Sequence, residues 1–323
     1  MTDIYSQQRR NRRTTIVLMA AFVVLIVSLG LSIDIYNAGG LDGLRFPAAT
    51  AAAFLISAVN LVVSFYLGDR LVVKSLGARR PDIKNPSHRR LHNVAVEMAL
   101  ASGTPMPKLY VIDDPAPNAF AAGRDPENAV IGVTGGLLDI MDRDELQAVV
   151  AHEFGHIRNY DIRTMTVVAV CVGTVAVLSD WAVRTWRYGG VASRRRKGAH
   201  PLVLIPMVVL VLLSPLISRI IAMAVSRSRE YQADVSAAEF TRNPAALARA
   251  LAKIAHSTIP VKGVHRGTAH LFIHDPMRRR LDDKEGRYAE LLATHPPIKK
   301  RIERLEKMAY IWSRTGKSTG GAP

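Results

Sequence analysis

The sequence predicts a membrane protein that is mainly α-helical, with about four transmembrane helices and a small α+β domain outside the bilayer. Four long apolar runs, and a pair of short strand patterns between the second and third runs, carry this prediction. Lys and Arg number 43 against 27 Asp and Glu, a formal net charge of +16, while 49% of the residues are hydrophobic. This combination is typical of apolar spans with basic flanks.

The composition also argues against other classes of protein. There is no basic stripe interleaved with aromatic residues and no zinc-finger spacing, so we expect no nucleic-acid partner. The single cysteine, Cys171, lies inside an apolar run. One cysteine rules out an intrachain disulfide framework and suits a reducing compartment.

The first two apolar runs, residues 16–33 and 46–67, contain no charged side chain and predict a transmembrane hairpin. About 20 apolar residues suffice to cross a bilayer. A signal peptide is the alternative for the first run, but the run exceeds the usual length and no small-residue cleavage site precedes Asp34. A retained anchor is therefore favoured. Basic residues before the first span and after the second place both flanks in the cytoplasm by the positive-inside rule.

The third and fourth runs, residues 164–181 and 201–225, predict a second hairpin. Their connecting loop, residues 182–200, carries several Arg and Lys side chains, which resist translocation. Either the hairpin crosses despite this charge, or it stays partly at the cytoplasmic interface with its basic side chains extended towards water. The length of both runs favours crossing.

A small α+β unit is expected between the two hairpins. Residues 109–112 and 129–133 are short apolar strand patterns, and residues 113–123 between them are expected to turn. An extended peptide could pair through main-chain hydrogen bonds with an edge formed by residues 129–133. The candidate substrate-binding residues of this edge are Ile131, Gly135 and Gly136.

The next helix carries the motif His152-Glu153-Phe154-Gly155-His156. Two histidines four positions apart lie on one face of a helix, so both imidazoles can reach one ion. Zinc accepts such nitrogen ligands, and a catalytic zinc site keeps one position for water. Glu153 is then placed to take a proton from this water, which is the chemistry of the zincin signature.

A pair of solvated helix histidines is the alternative interpretation of these five residues. The context favours a metal site, because neighbouring residues give the helix an apolar face and Asp142 with Glu145 forms a capping box at its start. Gly155 costs a helix about 1 kcal/mol relative to alanine, so another backbone is expected to approach closely there. The α+β unit is therefore predicted to be a zincin-like catalytic domain.

Glu230 is the best candidate for a third protein ligand, which such a site requires. Asp234 lies four residues later on the same helix face, so one carboxylate can bind metal while the other accepts the N–H of a ligand histidine. The alternative is an ordinary amphipathic helix in which Arg227 and Arg229 pair with the acids. The spacing alone leaves both interpretations open.

Six motifs in a common order make the chain resemble the HtpX-like membrane zinc metallopeptidases, bacterial relatives of the CaaX prenyl proteases. The resemblance covers roughly residues 87–305. The matching segments are residues 98–103, 118–121, 134–138, 152–156, 226–234 and 295–297.

The resemblance implies one zinc ion per chain, held by His152, His156 and Glu230. It also implies that Glu153 is the general base and that Asp234 lies in the shell behind the ligands. The expected function is that of a zinc endopeptidase of membrane or misfolded proteins. The expected place is the bacterial inner membrane, with the active site facing the cytoplasm.

Further site residues follow from the same resemblance. Asn118 and Ala119 are expected to offer polar groups to an extended substrate. His295 and Arg301 have the separation of a histidine and an arginine that face zinc in the CaaX proteases, where such donors stabilise developing negative charge. A capping histidine and a surface arginine are the alternative for this pair. Asp161 also matches an acidic position of the family, without a role that its spacing explains.

Two other functions remain as alternatives: a CaaX-type processing protease, which would have more spans, and a non-catalytic membrane scaffold, which would have lost Glu153 or a ligand. Expected partners are protein or peptide substrates and the lipid bilayer, with a homo-oligomer or other membrane quality-control proteins as further candidates. The expected order of segments is a basic N-terminus (1–15), a hairpin (16–67), a catalytic part (68–163), a second hairpin (164–225), a second catalytic part (226–315) and a disordered tail (316–323).

Overall fold

The structure is a computed structural model that describes residues 4–38, 46–188, 227–257, 259, 268–274 and 296–318. Most of these residues are helical, and a three-stranded sheet is the one sheet that they form. The mainly α-helical class with a small sheet, as predicted, is therefore confirmed for the described part of the chain.

The first hairpin consists of α1 (Ile4–Ala38) and α2 (Ala48–Ser75). These are the two helices, among the residues described, that are long and apolar enough to cross a membrane. Their packing is close, because a Cβ on Gly30 would lie 2.6 Å from the carbonyl oxygen of Ala49. α1 extends from Ile4, so the described part of the basic N-terminal segment and the first apolar run form one continuous helix.

The third apolar run lies in α6 (Asp161–Tyr188), which packs against α1 and α2. The Asn60 side-chain amide of α2 donates a hydrogen bond to the Thr174 hydroxyl of α6, with 2.7 Å between nitrogen and oxygen. The fourth run and the basic loop before it lie outside the described residues. The count of four spans therefore stays a prediction.

The sheet contains β1 (Lys108–Ile112), β2 (Ala119–Gly123) and β3 (Ala129–Thr134) in the order β1-β3-β2. β3 is parallel to β1 and antiparallel to β2. The prediction that residues 113–123 only turn is wrong for the last five, which form β2. All five are buried, so no alternation of polar and apolar residues marks this strand.

The predicted substrate edge is also corrected by this order of strands. Ile131 lies on the central strand, where it pairs with Leu109 on one side and Ala121 on the other. Its side chain is completely buried. The antiparallel edge strand is β2, because the chain reverses between β2 and β3 and places β3 in the middle.

Two helices connect the sheet to the site: the short α4 (Gly135–Ile140) and α5 (Arg143–Arg158). The predicted capping box of α5 is confirmed. The backbone N–H of Glu145 donates to Asp142 Oδ1 at 2.8 Å, and the N–H of Asp142 donates to Glu145 Oε2 at 3.0 Å. These bonds satisfy two of the N–H groups that a helix start leaves without partners.

Four further helices surround α5: α3 (Pro86–Ser102), α7 (Arg227–Thr241), α8 (Pro244–His256) and, packed on α8, α9 (Ile298–Ser318). Their apolar faces meet in one core with the sheet. Its fully buried members include Leu91, Ile131, Leu146, Val150, Leu247 and Leu251. α5 is thus buried on almost all sides, which suits a helix that carries polar side chains away from water.

Gly155 lies where α5 crosses α7. A Cβ at this position would lie 3.1 Å from both the Cα of Ala233 and the Cβ of Ser236. The predicted close approach of another backbone is therefore confirmed, and it brings α7 against the face of α5 that carries the histidines.

We expect Gly155→Val to separate α5 from α7 and to destabilise the protein by about 1–3 kcal/mol, the usual cost of overpacking. Gly173→Val is the matched control, because no described atom lies within 4 Å of a Cβ at Gly173 of α6. Thermal unfolding in detergent measures both variants. Equal unfolding temperatures for the two variants would contradict the close contact.

Candidate active site

Three side chains from α5 and α7 converge inside the protein. His152 and His156 lie one helical turn apart on α5, with 4.8 Å between their ring centroids, and Glu230 projects from α7. His152 Nε2 lies 3.7 Å from Glu230 Oε2, and His156 Nε2 lies 3.6 Å from Glu230 Oε1. Two ligand atoms on a tetrahedral zinc ion are about 3.3 Å apart when each lies about 2.0–2.1 Å from the metal. The three residues therefore fit one small ion.

The other ring nitrogen of each histidine is held by a carboxylate. His152 Nδ1 lies 3.1 Å from Asp234 Oδ1, and His156 Nδ1 lies 3.0 Å from Asp161 Oδ2. A carboxylate that accepts Nδ1–H leaves Nε2 as the lone-pair nitrogen, which is the form that binds metal. Both Nε2 atoms face Glu230, so the donor set fits a metal ion. The sequence left Asp161 without a role, and the structure places it behind His156.

The pKa values of the two histidines shift in opposite directions. Burial lowers the pKa of His152, and the charge of Arg301 adds to this effect against the influence of Asp234. Burial also opposes the charged form of His156, but its bond with Asp161 and the negative charges of Glu230 and Asp161 outweigh burial. They raise the pKa of His156 to about 9.

Glu153 lies between the two histidines in sequence and is 1% exposed. Burial raises its pKa to about 8, and the negative charge of Glu230 adds to this effect while His156 opposes it. Its Oε2 atom has no hydrogen-bond partner among the described residues. Glu153 is thus a buried carboxyl group with one oxygen available for proton transfer. A nearby cation would favour its ionised form.

Arg301 reaches the site from α9 and is 1% exposed. Its Nε and Nη2 donate to the two carboxylate oxygens of Asp234 at 2.9 and 2.7 Å. Its Nη1 donates to the carbonyl oxygen of Ile273 at 3.1 Å and lies 3.1 Å from Glu230 Oε2. From the sequence, we expect Arg301 to donate a hydrogen bond to the substrate. In the structure its guanidinium group donates to acceptors of the protein itself. Arg301 is a support for Asp234 and Glu230.

The charge of Arg301 determines the ionisation of Asp234. Burial opposes the ionised carboxylate, but the positive charge of Arg301 and the hydrogen bonds from His152 and Arg301 outweigh burial and lower the pKa of Asp234. The two-bond geometry between a guanidinium and a carboxylate is among the strongest that side chains form. Asp234 therefore remains a charged acceptor for His152.

The edge of β2 that faces away from β3 is covered by the segment 268–274. The N–H of Ile273 donates to the carbonyl oxygen of Ala119 at 3.0 Å, and Phe120 forms an antiparallel bridge with Phe272. The Asn118 side-chain amide donates to the carbonyl oxygen of His274 at 3.0 Å. The polar groups of Asn118 and Ala119 expected to bind substrate are thus engaged by the chain itself.

Three predicted site residues remain: Gly135, Gly136 and His295. Gly135 and Gly136 start α4, and a Cβ on Gly136 would lie 1.9 Å from the carbonyl oxygen of Pro115. Gly136 is therefore required by the close approach of the preceding loop, and the contact of Gly135 and Gly136 with substrate stays a prediction. His295 lies outside the described residues.

The chain is similar to several known proteins. Residues 85–309 match the family model of peptidase family M48. A protease HtpX homologue from Tropheryma whipplei is 38% identical over 305 residues, covering 94% of this chain and 98% of its own length. A homologue from Dictyoglomus turgidum is 40% identical over 265 residues, covering 82% and 84% of the two chains. The crystal structure of Ste24p from S. mikatae covers 93% of this chain and 67% of its own, with 19% identity and a TM-score of 0.49.

A buried pair of helix histidines with a converging glutamate could hold a metal ion, as the sites of zinc metallopeptidases do. The chain belongs to peptidase family M48, and its curated relatives of similar length are HtpX proteases. The resemblance derived from the sequence motifs is thereby confirmed.

The raised pKa of His156 predicts that zinc binding depends on pH. Below about pH 9 the metal-free site holds a proton on His156, which zinc must displace in order to bind. We expect the apparent zinc affinity to fall about tenfold for each unit by which the pH is lowered from 9 towards 7. Competition with a chromophoric chelator measures this slope. Asp161→Asn should flatten it by lowering the pKa of His156, and an affinity independent of pH in this range would contradict the assignment.

Proposed function

We propose that the protein is a zinc-dependent endopeptidase of the bacterial inner membrane that hydrolyses membrane or misfolded proteins in the cytoplasm. One observation carries the proposal. His152, His156 and Glu230 converge in a buried site, and carboxylates hold the rear nitrogen of each histidine. This is the ligand set and the support that a catalytic zinc site needs. One zinc ion per chain follows from one such cluster among the described residues.

Bound zinc would act as a Lewis acid towards the peptide carbonyl and would lower the pKa of water at the site. Glu153 then accepts a proton from the attacking water and delivers it to the departing amine. Its unbonded Oε2 and its buried surroundings favour this exchange, because a carboxyl group with a pKa near neutrality is an efficient acid and base. Glu153 is the catalytic residue of the proposal.

Two ion pairs keep the proposed ligands in place during this reaction. Arg301 binds Asp234 through two hydrogen bonds and lies beside Glu230, so it neutralises a charge on each side of His152. Asp161 contacts His156 Nδ1 at 3.0 Å and orients that ring, as Asp234 orients His152. The imidazole rings of His152 and His156 are thus held in place before any substrate arrives. This avoids reorganisation of the site during the reaction. His295 is proposed as a donor to the substrate oxygen.

We further propose that substrate binds as an added strand at the edge of β2. Antiparallel edge strands accept extended peptides through main-chain hydrogen bonds. The carbonyl group of Ala119 and the side chain of Asn118 already bind an extended segment, residues 272–274, in this way. A substrate at this edge takes the place of that segment.

The distance of the site from the membrane supports the choice of substrate. His156 lies in the last turn of α5, five residues before Asp161, where α6, the helix of the third apolar run, begins. At about 1.5 Å per helical residue, the metal ligands lie within one or two turns of the proposed span. A protease in this position acts on chains at the cytoplasmic surface of the bilayer.

Glu153→Gln tests the proposed chemistry. Glutamine keeps the shape of the side chain but cannot take a proton, so we expect hydrolysis of casein by the purified, zinc-loaded protein to fall by at least about a hundredfold. The zinc content should remain at one ion per chain. Glu239→Gln, the same change at an exposed residue of α7, should retain full activity. Activity of the Glu153 variant near that of the wild type would overturn the proposal.

Cysteine labelling in intact cells tests the proposed orientation. In a Cys171→Ser background, we expect a cysteine at Gly40 to react with an impermeant maleimide. A cysteine at the exposed Glu127 should react only after the cells are opened. The reverse pattern would place the site on the outer face of the membrane.

A further inference from the structure

The N-terminal end of the first span is joined to the metal site by a buried asparagine. Asn11 of α1 is 3% exposed. Its side-chain amide donates one hydrogen bond to Asp161 Oδ1 at 2.6 Å and another to the carbonyl oxygen of Asn159 at 3.0 Å. The two N–H groups of one amide are therefore both used on the turn between α5 and α6.

Asp161 connects Asn11 to His156, a proposed metal ligand. While its Oδ1 accepts from Asn11, its Oδ2 binds His156 Nδ1 at 3.0 Å. The Nε2 of the same ring faces Glu230 at 3.6 Å. A continuous series of buried polar contacts thus runs from α1 through Asp161 to His156. Each contact fixes the orientation of the next group.

Two neighbouring contacts show that α1 binds this turn along one of its faces. The Gln8 side chain donates to the carbonyl oxygen of Arg158 at 3.1 Å, and the hydroxyl groups of Thr15 and Thr164 lie 2.8 Å apart. Positions 8, 11 and 15 follow the spacing of one helix face. Polar contacts therefore hold the start of the membrane helix where apolar packing would be expected.

The turn itself needs such support. Tyr160 adopts a positive φ of 59°, a conformation that residues other than glycine rarely adopt. The carbonyl oxygens of Arg158 and Asn159 lie at the end of α5, where a helix leaves its last carbonyl groups without partners. Gln8 and Asn11 supply the missing donors. Without them, Asp161 is oriented towards His156 by the turn and by Arg229, whose Nε lies 3.6 Å from Asp161 Oδ1.

We propose that Asn11 is a positioning residue of the metal centre, through which the docking of the first transmembrane helix sets the orientation of Asp161 and His156. The inference rests on the proposed function and adds to it a dependence of metal affinity on α1. Asn11 touches neither the metal ligands nor the substrate. Its effect must therefore appear in the metal site and must pass through Asp161.

Asn11→Ala tests the proposal, with Asn60→Ala as the matched control. Asn60 also uses its side-chain amide to join two membrane helices, but its partner Thr174 has no link to the ligands. We expect Asn11→Ala to weaken zinc binding about tenfold in chelator competition, the low end for a residue behind a ligand. It should also shift the visible absorption spectrum of the Co²⁺-substituted protein. Asn60→Ala should change neither readout.

A double-mutant cycle separates positioning from general packing. In an Asp161→Asn background the effect of Asn11→Ala on zinc affinity should fall below twofold, because the group through which Asn11 acts has changed. Asn11→Asp, which keeps the volume but sets a carboxylate against Asp161, should weaken zinc binding more than alanine. It also serves as the test if the alanine variant does not fold.

The outcomes distinguish this inference from the proposed function. Zinc affinity and Co²⁺ spectrum within twofold of the wild type for Asn11→Ala would reduce Asn11 to a packing residue. An effect unchanged in the Asp161→Asn background would also overturn the inference. If the wild-type protein binds no zinc, the proposed function itself fails and the inference fails with it.

Discussion

The arrangement of the site depends on the balance of buried charge. Removing an ionised group from water costs several kcal/mol unless an opposite charge compensates it. The ionisable residues behind and around the histidines are buried carboxyl groups and guanidinium groups: Glu153, Asp161, Glu230, Asp234, Arg229 and Arg301. With Glu153 ionised and both histidines neutral, as a metal-bound site requires, these four carboxylates face two arginines, a deficit of two positive charges. In the metal-free site, protons on His156 and Glu153, whose pKa values are raised, fill this deficit. A divalent cation would supply this difference, and the helices that surround α5 bury the site.

The features of the fold and site that could be predicted depend on residues that are close together in the sequence. The capping box at Asp142 and Glu145 and the spacing of His152 and His156 are properties of one helix. Gly155 was informative because a glycine inside a helix is costly without a reason, and the reason is the backbone of Ala233. Helix spacing also put Glu230 and Asp234 on one face, although it could not decide which charges each would meet.

The rest depends on contacts between distant parts of the chain. Arg301 and Asp234 are 67 positions apart, and Asn11 and Asp161 are 150 apart, so no local pattern connects them. β2 escaped prediction because its residues, mostly alanine, are buried on both faces and show no alternation. The order of strands in a sheet depends on contacts between distant residues and leaves no local signal. The sequence therefore could not show that Ile131 lies on the central strand. The chain reversal before β3 places that strand in the centre.

The two sides of the metal site also come from distant parts of the chain. Seventy-three residues lie between His156 and Glu230, including residues 164–225, which the sequence predicts to form the second hairpin. An ion held by both residues is thus a cross-link that closes a long loop. Cross-linking a loop of this length lowers the entropy of the unfolded chain by an amount equivalent to about 4 kcal/mol. In the proposed enzyme, the ion that supports catalysis would therefore also stabilise the fold. A molecule that lost it would unfold more easily and would be a better substrate for proteolysis itself.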